Sequence, residues 1–227
     1  MMTSFNPRAA ADILLQVRAG GPRAKGLPIT PPDAGAAYQV QDAVLRSLGG
    51  PISWKVALLD GRERHAAGMP ASEIFANRAT VAGLPPDAAI EVETAFILGH
   101  DLRPDCDVSD ILAAIGEVRL AFEIIGSRFA DPTTVSPLAA MADSFSSAAI
   151  VLGDTIPDWR SALDEPLGLS LVLNDKEVLA TEQAPKLAET TDFLIWLATH
   201  AAAHGFPLSA GDVIISGSDA GGGRIVR

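Results

Sequence analysis

Ala89-Ile90-Glu91-Val92-Glu93-Thr94-Ala95-Phe96-Ile97-Leu98-Gly99 places two glutamates two residues apart in an otherwise apolar run. In a strand, residues i and i+2 point to the same face, so both carboxylates project together. Like charges held that close are unfavourable unless a cation or a shared proton compensates. A second strand-like run, Val118-Arg119-Leu120-Ala121-Phe122-Glu123-Ile124-Ile125, presents a third acid. Glu91, Glu93 and Glu123 converging from two strands would make an all-oxygen site for a hard divalent cation such as Mg²⁺ or Mn²⁺. The competing reading is a solvated outer face, with Glu91 and Glu93 in water and Glu123 paired to Arg119 or Arg128.

Composition narrows the setting. The chain has 227 residues, 48% of them hydrophobic and 20% charged, which is enough for a substantial core. A formal net charge of −11 argues against nucleic acid and against anionic membrane surfaces as partners. No window reaches the roughly 20 apolar residues of a membrane span. Met1 to Arg18 lacks the apolar segment of a signal peptide. The single cysteine, Cys106, fits a reducing cytoplasm, which is the expected location.

Helices come first and strands dominate afterwards. Asn6-Pro7 opens a helix with Ile13, Leu14 and Val17 on one side, and Gly20-Gly21 stops it. Thr30-Pro31-Pro32-Asp33 starts a second helix, with Ala37, Val40, Val44, Leu45 and Leu48 at helical spacing and Gly49-Gly50 at its end. Ile52 to Leu58 alternates as a strand with Ser53, Lys55 and Ala57 on one face. The Glu91 strand follows a Pro85-Pro86-Asp87 turn, and a short helix from about Ser109 to Ile115 leads into the Glu123 strand. Ser146 to Leu152 reads as a further strand. Leu169 to Leu173 and Glu177 to Ala180 flank Asn174-Asp175-Lys176 as a hairpin. Thr191 to His204 reads as a late helix, and Gly211 to Gly217 as a final strand. The pattern is that of an α+β fold, with residues 1–50 a helical segment packed on a β-rich core of residues 51–227.

Other sites are weaker. Lys55, beside Trp54 and Val56, is either an edge-strand lysine that blunts aggregation or a proton-transfer group near a bound cation. His200 and His204 stand at i, i+4 without the glutamate of a zinc-binding helix, and read as a surface pair. The glycine-rich tail Ser218 to Arg224 lacks the ending of a phosphate loop, no G-x-S-x-G elbow is present, and Cys106 has no partner signature.

Five motifs, in order, carry a resemblance. They are the Lys55 strand, Ala89 to Gly99, Phe122 to Arg128, Met141 to Gly153, and Leu197 to Ser218. Together they resemble the 2-keto-4-pentenoate hydratase family of the fumarylacetoacetate hydrolase superfamily, over most of the chain from about Tyr38. The resemblance implies a mixed β-roll or barrel core behind the N-terminal helices. It also implies Glu91, Glu93 and Glu123 as ligands of Mg²⁺ or Mn²⁺, Lys55 as the acid/base group, and Ser146, Ser147 and Ser218 as substrate-binding residues. The expected substrate is a small unsaturated 2-oxo acid such as 2-hydroxypenta-2,4-dienoate. It would chelate the cation through its carboxylate and keto oxygens, and the cation would stabilise the enolate charge.

Three departures accompany the likeness. After the lysine strand the family carries an acidic Pro-Asp-Phe-Gly-like stretch, but Gly68-Met69-Pro70-Ala71-Ser72-Glu73-Ile74-Phe75 has no aspartate and offers Glu73 as its acid. Asp143-Ser144-Phe145-Ser146-Ser147-Ala148 adds bulk where the family is smaller. Beyond Gly217-Ser218 the family continues into further strand, whereas this sequence ends at Arg227, so an open sheet edge is expected, covered by a neighbouring subunit or by nothing. The resulting expectation is a hydratase, a lyase of aromatic-compound breakdown, assembled as a homo-oligomer. A 4-oxalocrotonate-type decarboxylase and a non-catalytic binding or assembly subunit are its rivals.

Overall fold

The computed structural model describes residues 4–59, 63–164, 169–173, 175–181 and 187–216. Two capped helices open the chain. Helix α1 (Pro7–Arg18) begins where the Asn6 side chain accepts the amide hydrogens of Arg8 and Ala9, and α2 (Ala34–Ser47) where Asp33 accepts that of Ala36. Strands β1 (Pro51–Leu59), β2 (Glu63–Pro70), β3 (Ile74–Phe75) and β4 (Ala89–Leu98) follow. Helix α3 (Val108–Ala114) then precedes β5 (Ile115–Ile125), and α4 (Pro137–Ala142) precedes β6 (Ser147–Thr155). The short α5 (Trp159–Ala162), a hairpin of β7 (Leu169–Leu173) and β8 (Lys176–Thr181), α6 (Leu187–Ala203) and β9 (Val213–Ser216) complete the described residues.

Seven strands form one curled, mixed sheet in the order β2-β1-β9-β4-β5-β6-β3, and β7-β8 stand apart. Most of the expected elements are present, within a few residues at their ends. Strand β2 is the main addition: Glu63 to Pro70 shows no alternation, and its pairing with β1 over nearly its whole length makes it a strand. The final strand lies at the centre, parallel to β1 and antiparallel to β4, so β2 and β3 are the edges. Lys55 therefore sits on an internal strand, which removes the edge-strand explanation for it.

The two faces of the sheet differ. On one, Trp54, Val56, Phe96, Val118 and Ile214 pack with Ile111 of α3 and Leu194, Leu197 and Ala198 of α6. On the other, Met69, Ala95, Ala121, Ile150, Val213 and Ile215 form a smaller cluster. A third cluster joins Ala10, Ala11 and Leu14 of α1, Val40 and Val44 of α2, Met141 of α4, and Phe129. This packing fastens the N-terminal helices to residues more than 100 positions later.

Candidate metal and acid/base site

Strand register brings the three acids together. Glu91 lies directly opposite Glu123 in the antiparallel pair β4/β5, and Glu93 lies opposite Ala121. Directly opposed like charges repel. Glu93 is 2% exposed and Glu123 0%, while Glu91 is half-buried, so the solvated-face reading fails. One carboxylate oxygen from each of the three lies within 4.8 Å of the others. Glu93 Oε2 and Glu123 Oε1 are buried without a hydrogen-bond partner. Orphaned, converging, buried carboxylate oxygens are what a hard divalent cation satisfies, so the residues fit such an ion.

Lys55 reaches the same place from β1, its Nζ 2.7 Å from Glu123 Oε2 and 3.7 Å from Glu91 Oε2. Burial pulls its pKa down, but Glu123, Glu91 and Glu93 outweigh that and raise it above the usual lysine value. Glu93 is pushed well above the usual carboxylate range by burial and then by Glu123, with Lys55 opposing. Neither arginine suggested for Glu123 is its partner: Arg119 pairs with Glu117, and Arg128 with Asp143.

The serines stand at a strained turn. Ser144, Phe145 and Ser146 all have positive φ (50°, 50° and 65°), three consecutive non-glycine residues in the left-handed region. Arg128 holds this turn in place. Its guanidinium pairs with the Asp143 carboxylate, donates to the Asp143, Gly126 and Ser147 carbonyls, and is almost fully buried. Ser146 donates its amide hydrogen to the Asp143 carbonyl and accepts that of Gly126. Ser147 is fully buried, and its hydroxyl donates to Met69 Sδ. Ser218 lies outside the described residues, as does the glycine-rich tail.

Glu73 does not belong to the carboxylate cluster. It ends a 3-10 turn (Ala71–Glu73) that packs against β1 and β6, and it pairs with Arg18 of α1. Both line a cavity of about 690 Å³ together with Phe75, Gly126, Arg128 and Ala148. Burial, and then the charge of Arg128, lowers Arg18 to about 9. Sequence reasoning missed Arg18 because a basic residue ending a surface helix is ordinarily explained by the helix dipole. His200 and His204 are not a surface pair. They are half-buried and in tilted ring contact with each other and with Tyr38, and His200 also stacks on Trp196.

No family model matches the chain. It is 35% identical over 131 residues to 2-keto-4-pentenoate hydratase of Paraburkholderia xenovorans (strain LB400), covering 57% of this chain and 48% of that protein. The chain is similar in sequence to 2-keto-4-pentenoate hydratases. A second hydratase of that name, from Burkholderia vietnamiensis (strain G4 / LMG 22486), is 28% identical over 201 residues, 82% of this chain and 76% of the relative. The match thus spans about half the length of the first relative. Among solved structures, 4-oxalocrotonate decarboxylase from Pseudomonas putida G7, complexed with magnesium and adipate, has a TM-score of 0.77 at 19% identity over 99% of this chain and 91% of that one. A fumarylacetoacetate hydrolase family protein of yeast follows at 0.51, with 15% identity over 76% of this chain and 82% of its own. These likenesses establish the fold expected of the hydratase homologues.

Proposed function

We propose that this protein is a divalent-metal-dependent hydratase, a lyase acting on a small unsaturated 2-oxo acid such as 2-hydroxypenta-2,4-dienoate. The observation that carries this reading is the buried triad Glu91, Glu93 and Glu123 with Lys55 against it. The triad is the place for Mg²⁺ or Mn²⁺. Glu91, Glu93 and Glu123 would hold the cation, which would supply a Lewis acid for the negative charge developing on a 2-oxo acid and would offset the carboxylate charge around Lys55.

The chain's own residues then have distinct tasks. Lys55, held at the triad by Glu123, delivers and withdraws the proton that moves along the conjugated system. The apolar cluster of Met69, Ala95, Ala121, Ile150, Val213 and Ile215 occupies the same face and keeps bulk water from the charged centre. Ser146 and Ser147 are the proposed substrate contacts, beside a Ser144–Ser146 turn held by Arg128 and Asp143. The working unit is a homo-oligomer in the cytoplasm.

Purified protein with Mg²⁺ should remove the ultraviolet absorbance of 2-hydroxypenta-2,4-dienoate and form the 4-hydroxy-2-oxo acid, and Lys55→Ala should abolish turnover. Release of CO₂ from 4-oxalocrotonate without hydration would replace the reading with decarboxylation, which a fold shared with 4-oxalocrotonate decarboxylase accommodates. Cation binding without turnover of any 2-oxo dienoate would make the protein a non-catalytic relative.

A further inference from the structure

The cavity beside α1 holds an ion pair with bonding capacity left on both partners. Arg18 gives one terminal nitrogen to Glu73, while Arg18 Nε and Glu73 Oε2 are buried without hydrogen-bond partners. Their side chains are only 9% and 16% exposed. The cavity's other arginines are committed: Arg23 binds both Asp87 oxygens and the Phe129 carbonyl, and Arg128 is taken up by Asp143 and three carbonyls. Each of the three arginines thus has a carboxylate, so the lining carries no uncompensated positive charge.

The cavity's position relates it to the carboxylate triad. Its wall includes Gly126, three residues beyond Glu123, and Ala148, two residues before the Ile150 that faces Glu123 across β5/β6. Three residues of strand advance about 10 Å. A carbon chain gains roughly 1.3 Å per bond, so a 2-oxo acid anchored at the triad reaches this distance with the end of a tail of about six carbons. The 3-10 turn carrying Glu73 packs against β1, the strand of Lys55, and against β6.

We infer that the Arg18–Glu73 pair receives the far end of the substrate, and that this end is a neutral group able both to accept and to donate a hydrogen bond, a terminal hydroxyl. The inference rests on the 2-oxo acid reading above and names the substrate class for it. The chemistry follows from the two spare atoms: Nε needs an acceptor and Oε2 needs a donor. A methyl terminus satisfies neither. A carboxylate terminus satisfies Nε and is repelled by Glu73 in a buried setting.

The test compares unreactive ligands of equal chain length. Octanoate, 8-hydroxyoctanoate and octanedioate are titrated calorimetrically into the Mg²⁺-loaded protein, alongside turnover of 2-oxo-4-enoates with the same three termini. The hydroxyl ligand should bind roughly 5- to 20-fold more tightly than either of the others, as expected for two added hydrogen bonds. Arg18→Leu/Glu73→Leu, which removes both charges together and leaves neither stranded, should erase that preference while octanoate binding is kept. Tightest binding of octanedioate, or equal binding of all three, overturns the inference. Hydroxyl preference without turnover of any dienoate would overturn the hydratase reading and leave the tail site standing.

Discussion

At the residue scale, Glu93 makes the sharpest prediction because its two roles have opposite signs. Its folded pKa is raised, so the native state holds its proton more tightly than the unfolded chain does. Stability of the metal-free protein therefore falls as pH rises above the ordinary carboxylate value toward the raised one. Glu93→Gln removes the repelled charge, so the metal-free variant should melt no lower than wild type and lose that pH slope. The same change deletes a cation ligand. Magnesium affinity should drop by at least the roughly 10- to 100-fold that loss of an outer-shell partner costs. Thermal melts with and without Mg²⁺ across pH read both effects, and a fall in metal-free stability with unchanged Mg²⁺ response would refute the assignment. Lys55 is tied to the same centre, its Nζ 2.7 Å from the Glu123 carboxylate that faces Glu91 across β4/β5.

The elements show how local grammar and tertiary contact divide the work. Helices α1 and α2 were readable from their caps, because Asn6 and Asp33 satisfy amide groups within their own first turns. The left-handed run at Ser144–Ser146 was not. Nothing in those residue types favours positive φ, and the buried Arg128–Asp143 pair imposes it from a neighbouring segment. Asp143→Ala would leave the Arg128 charge buried and unpaired, at a cost of about 3–5 kcal/mol, measurable by urea denaturation. Helix α6 supplies a pH prediction. Burial first, then the charges of His204 and His65, lowers His200 from 6.5 to about 4. The native state keeps His200 neutral where the unfolded chain is protonated, so this contribution is present above pH 6.5 and lost as pH falls toward 4. His200→Phe preserves the stack with Trp196 and the tilted ring contact with Tyr38. It should flatten the loss of denaturation midpoint between pH 6.5 and 4.

For the whole molecule, the central place of β9 is decisive. Ile214 and Ile215 are fully buried, one on each face of the sheet, and β9 alone joins the β1/β2 pair to β4 and the strands beyond. Truncation after Gly211 should therefore divide the sheet and abolish folding. Far-ultraviolet circular dichroism and size-exclusion chromatography would show this, and a soluble, cooperatively melting truncate would contradict the topology. The sequence pattern showed a final strand without showing where it inserts, because strand order depends on contacts between positions more than 100 residues apart.

Sequence alone determined the α+β class, the two capped helices, the strands bearing Lys55, Glu91, Glu93 and Glu123, and the expectation of an oxygen-ligand cation site. These follow from residue type and period, which act within a few positions. Tertiary structure decided that Glu91 faces Glu123, that Lys55 reaches both from an internal strand, and that Glu73 turns to Arg18 instead of joining the triad. Register, sheet curl and burial set those distances and desolvate those charges, and none of the three is a property of a local stretch of chain.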